Sequence, residues 1–106
     1  FMHKAAVLRT DGSMSTTTID QRKAHEFFAG DYVTFVGAID CLGVFAIARR
    51  NPLPTEPLNE LCTDAAHFDL PVCGDVLLIG SDANGEAMDV DVQKIAEWFE
   101  ERRSET

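Results

Sequence analysis

The longest uninterrupted apolar runs in the chain, such as Val44–Ala48 and Val76–Ile79, have the length of short strands. Neither approaches the roughly 20 residues that an apolar helix needs to cross a bilayer. Short apolar runs bounded by turn-forming residues read as strands covered on both faces. The chain is therefore expected to build a sheet from short pieces and to cover it with few helices. Its 106 residues, 45% of them hydrophobic, suffice for one domain with a real core and no obligatory disulfide or metal.

Lys4–Arg9 reads as the first strand, and Met14–Ile19, rich in Thr, as its hairpin partner. Thr10-Asp11-Gly12-Ser13 supplies the turn between them. Asp20 is placed to cap a helix of about nine residues whose Ala24, Phe27 and Phe28 share a side. Gly30 then sits where a left-handed residue ends a helix. Tyr32–Val36 and Leu42–Ala48 follow as strands expected to be central and buried, joined through Ile39-Asp40-Cys41.

Composition then changes. Pro52, Pro54 and Pro57 exclude a regular ladder from 49 to 63, and Leu58, Leu61 and Cys62 fit one helical turn after Pro57. Asp75–Ile79 is the next strand, and Gly80–Glu86 a polar loop with Asn84-Gly85 as its turn. Val90–Arg103 has the clearest helical period, with Val92, Ile95 and Phe99 on one face, Trp98 beside them, and Asp89 or Asp91 at the start.

The predicted order is β-β-α-β-β-loop-β-α. It implies an α+β fold: one mostly antiparallel sheet of about five strands with two main helices packed on one face. Residues 2–103 form a single domain in this reading, with 104–106 as a frayed tail. Phe1, ahead of Met2, is set aside as foreign to a natural start. No basic region followed by an apolar stretch opens the chain, so no secretory leader is expected. Three irregularly spaced cysteines, Cys41, Cys62 and Cys73, suit reduced thiols in a cytoplasm better than a disulfide framework.

The formal charge is −9. Phosphates would be repelled, so direct nucleic-acid binding and an anionic membrane surface are disfavoured. What remains is ordinary acidic solubility or a surface that engages a basic protein partner.

Each cluster of reactive side chains has a plain structural alternative. Cys62, His67 and Cys73, with Cys41 further away, form a zinc-ligand set without a C-x-x-C knuckle; buried thiols and a loop histidine are the alternative. His25 or His67 beside a cysteine would make a thiol nucleophile, but no local signature places them together. Asp82, Asn84 and Glu86 alternate as calcium ligands do, without the EF-hand glycine and terminal glutamate; a solvated turn is the alternative. Arg49-Arg50 is placed to grip a phosphate or carboxylate, or simply to end a strand. Trp98, with Glu97, Glu100 and Glu101, offers an aromatic and acidic surface for a partner. No cofactor is implied.

Four pieces, in order, carry a family resemblance. They are Lys4-Ala5-Ala6-Val7-Leu8-Arg9 with Asp11-Gly12, Phe28-Ala29-Gly30-Asp31-Tyr32-Val33-Thr34-Phe35-Val36, Asn51-Pro52-Leu53-Pro54-Thr55-Glu56-Pro57-Leu58-Asn59, and Cys73-Gly74-Asp75-Val76-Leu77-Leu78-Ile79-Gly80. Together they resemble a small uncharacterised family of about a hundred residues found in phages, plasmids and actinobacteria. The second proline, at Leu53-Pro54, departs from that pattern. The resemblance implies an accessory protein of a virus or mobile element, working in a host cytoplasm, and it carries over no catalytic residue.

The leading expectation is a non-enzymatic protein-interaction module. A DNA mimic, which needs acidic groups arrayed on one face, is one alternative. A cysteine- or zinc-dependent enzyme is another. A self-associating protein, with an edge strand pairing between copies, is the last.

Overall fold

A computed structural model describes residues 1–60, 62 and 72–104. Its elements are β1 (His3–Leu8), β2 (Met14–Ile19), a 3-10 helix η1 (Gln21–Phe28), β3 (Val33–Ile39), a 3-10 turn η2 (Asp40–Leu42), β4 (Val44–Arg49), β5 (Val76–Ser81), β6 (Ala87–Met88) and helix α1 (Val92–Ser104). The strands form one antiparallel sheet in the order β2-β1-β5-β4-β3, with the short β6 beside β5. The fold is α+β, as the sequence pattern predicts.

The helices do not share a face, which corrects the expectation. Ala6 and Leu8 of β1, Val44, Ala46 and Ala48 of β4, and Val76 and Leu78 of β5 pack with Ile95 and Phe99 of α1. The alternate residues Ala5, Val7 and Leu77 pack with Ala24 and Phe28 of η1. Side chains alternate between faces along a strand, so the two helices lie on opposite sides. Covering both sides explains why Ala5, Ala6, Val7 and Leu8 are all buried in sequence.

Local chemistry sets the boundaries. Asp20 caps η1 by accepting from the Arg22 amide at 3.1 Å, and the Arg22 side chain holds its carboxyl below the usual carboxylate range. The helix ends at Ala29, left-handed at φ 57°, and the expected Gly30 just past it is left-handed too, at φ 84°. Asp91 caps α1 through the Lys94 amide at 3.2 Å. Asp89 instead accepts from the Lys4 amide at 2.8 Å, fixing the approach of α1 to β1. α1 runs from Val92 to Ser104, and residues 105 and 106 of the expected tail lie outside the described residues.

Two other expectations change. β5 runs on through Ser81 into the expected Gly80–Glu86 loop, and the loop is followed by a short strand, β6, whose Met88 pairs with Gly80. Leu58 is not helical but forms a bridge with Cys73, while Glu60 and Cys62 have helical backbone and Leu61 lies outside the described residues.

β3 carries a bulge. Phe35 pairs with Ile47 but Gly37 with Ala46, so Val36 is the extra residue. An extra residue reverses which face later side chains take. Val33 accordingly joins the η1 side, whereas Ile39 is buried on the α1 side.

Candidate functional site

Arg49, read as a possible anion grip, already has its partners. Its Nε donates to Asp31 Oδ2 at 3.0 Å, its Nη1 donates to Glu56 Oε1, and its guanidinium lies 5.7 Å from the Phe28 ring centroid. Two carboxylates compensate the charge, and the group ties the proline-rich segment to the start of β3. Arg50 is exposed, and its amide donates to the Tyr32 carbonyl at 2.9 Å.

The cysteines separate. Cys62 is fully buried in the α1-side core, and burial pushes its thiol up from 9.0 to about 12. A thiol so protonated at neutral pH is a poor nucleophile. Cys41 is exposed and Cys73 partly so. His67 lies outside the described residues; among those described, no group of three or more His, Cys, Asp or Glu is placed to hold a metal. His25 is exposed on η1.

The Asp82 loop spends its ligands on itself. Asp82 Oδ1 accepts from both the Asn84 and the Glu86 amides at 2.9 Å. One carboxylate oxygen thus closes the turn that delivers β6.

Trp98 is half-buried. Its ring meets Phe99 edge-on at 5.0 Å, and the Arg102 guanidinium covers it at 4.7 Å. Glu97, Glu100 and Glu101 are exposed beside it. The helix surface is therefore mainly charged, with most of its aromatic area turned inward.

The larger apolar surface is elsewhere. η1 packs over β1 and β5 and reaches Val33 of β3 and Ile47 of β4, but Phe35, Ala38 and Phe45 on the same face stand outside that cluster. There Phe35 is 58% exposed and packs against Phe45 of β4 at 5.1 Å. Ala38 pairs with Phe45, and Phe45 with Ile79, so the row crosses three strands. Tyr32–Val36 is thus not a central buried strand: β3 ends the sheet, and Tyr32 at its start is 81% exposed. The near-continuous apolar sequence concealed this. Thr34 and Gly37 within β3, and Asp31 and Asp40 flanking it, are the polar signals that mark an edge.

Concavities also mark the surface of the described residues. A cavity of about 210 Å³ between the η2 corner and the start of α1 is lined by Cys41, Gly43, Met88, Asp91, Lys94 and Ile95, among others. An open groove at the N-terminus includes His3, Asp20, Arg22 and Glu86, which mix both signs of charge. Comparison with protein-family models, curated proteins and solved structures returns no match for this chain.

Proposed function

We propose that this chain is a small acidic, non-enzymatic protein-binding module that works through the open end of its sheet. The observation that carries this reading is Phe35, 58% exposed and backed by Phe45, beyond the part of the face that η1 covers. Exposed aromatic area on a rigid strand is the kind of surface that protein interfaces favour.

The other classes fit less well. A thiol enzyme would need a reactive sulfur, and the raised Cys62 thiol is not one. A DNA mimic needs free carboxylates in an array. Here Asp11, Asp20, Asp31, Asp75, Asp82, Asp89 and Asp91 each accept a hydrogen bond within the chain, most of them at turns and element ends. A viral or mobile-element origin rests on the family resemblance alone.

The test is comparative capture. Wild type, Phe35→Ser, and a triple charge reversal at Glu97, Glu100 and Glu101 are immobilised in parallel and exposed to the same lysate. A partner retained by wild type and by the triple variant, but lost by Phe35→Ser, supports the sheet surface. Loss with the triple variant alone would move the contact to α1 and to a basic partner.

A further inference from the structure

The sheet has two outer strands, and they differ in character. β2 presents exposed Thr16 and Thr18, whereas β3 presents exposed Phe35. Among the described residues no strand pairs with the outer side of β3. From Val33 to Ile39 the strand carries no charge. Its two ends carry opposite ones. Arg50 lies beside Tyr32, held by its amide bond to the Tyr32 carbonyl at 2.9 Å. Asp40 follows Ile39 directly. Both are exposed, and among the described residues neither side chain has an ion-pair partner.

We propose that two copies of this chain associate about a two-fold axis, with their β3 edges antiparallel and Phe35 packed against Phe35 of the second copy. This rests on the reading of the Phe35 surface as a protein contact, and it names the occupant. Centred on Phe35, the two-fold sets Tyr32 opposite Ala38 of the second copy, two residues short of Asp40. Arg50 is then one strand further in, by a spacing of about 4.8 Å, so its side chain reaches that Asp40 only obliquely. An isologous contact repeats each pairing, so opposite charges approach at both ends of the seam. That matters for a chain whose formal charge is −9, because two copies would otherwise repel.

The bulge sharpens the expectation. Bulges commonly guard an edge against open-ended pairing, and this one confines regular backbone pairing to the few residues around Phe35. The ladder alone is then short. Phe35 and the two end-charge pairs must supply the rest, so the dimer is reversible and sensitive to single substitutions.

The experiment is sedimentation equilibrium of the full chain across the micromolar range. Wild type is expected to shift from dimer to monomer on dilution, and Phe35→Ser to stay monomeric with an unchanged circular-dichroism spectrum. Asp40→Arg and Arg50→Asp should each weaken the dimer about tenfold, and the double exchange should restore it. That restoration is a result a merely sticky surface would not give. Wild type monomeric throughout overturns the proposal, as does a dimer indifferent to Phe35→Ser and to both charge reversals. If wild type is monomeric while Phe35→Ser still abolishes capture of another protein, only the second copy is wrong. If Phe35→Ser alters neither mass nor capture, the surface itself is not a contact.

Discussion

The side-chain amide of Asn59 donates to the main-chain carbonyl of Leu8 at 3.0 Å, across 51 residues of sequence. The same nitrogen donates to the Gly74 carbonyl at 3.0 Å, and the Asn59 oxygen accepts from the Cys62 amide at 3.4 Å. Asn59 is fully buried. It therefore supplies polar partners where the proline-rich segment crosses the end of β1, and a buried carbonyl without a partner is costly.

Replacing Asn59 with alanine should lower stability by about 2–4 kcal/mol, since it leaves at least two buried groups unpaired and a small void. Asn59→Leu, which fills the space but supplies no donor, should not rescue it. Urea denaturation of the variants checks both outcomes.

Cys62 makes stability depend on alkaline pH. Its folded value is raised, so its contribution is complete below about 9.0 and is lost as pH rises towards about 12. Cys62→Val keeps the packing and removes the titration, so its melting temperature should fall less than wild type's between those limits. Native thiol titration should find Cys41 reacting first and Cys62 only on unfolding.

The two aromatic neighbours on α1 should behave differently. Phe99 is in the core, and Phe99→Ala should cost about 3–5 kcal/mol. Trp98 is only partly buried, so Trp98→Ala should cost clearly less. A reversed order in chemical denaturation would mean that the wrong face of α1 has been assigned to the sheet.

Ala29 holds a left-handed backbone at φ 57°. An L-residue there costs roughly 1–2 kcal/mol, partly offset after replacement by the greater freedom of unfolded glycine. Ala29→Gly should therefore stabilise by about 0.5–1 kcal/mol, read as a rise in melting temperature.

Much of the fold was legible because its signals are local. The hairpin turn, the Asp20 cap, the buried run 76–79 and the period of Ile95 and Phe99 each depend on residues close in sequence. What escaped depends on partners far away. Which side of the sheet a helix covers is not encoded in that helix, so η1 and α1 read alike. Tyr32–Val36 has the composition of an interior strand, and only the arrival of β5 on the other side of β4 leaves it at the margin. The bulge at Val36 was invisible for the same reason, since register belongs to a pair. The candidate site is the least legible part: Trp98 stands out as an aromatic at the margin of a helical face, whereas Phe35 lies among ordinary strand positions.

The placement of β5 also bears on how the molecule comes into being. β1 with β2, and β3 with β4, are each complete within the first half of the chain, yet the two hairpins share no ladder. Among the described residues only Val76–Ser81 joins them, pairing with β1 along one side and β4 along the other. During synthesis the first half must wait on the ribosome as two unconnected hairpins, each with an edge meant for a strand not yet made. A nascent chain halted before Val76 should thus be captured readily by chaperones, and release should come as a single late event once the linking strand emerges.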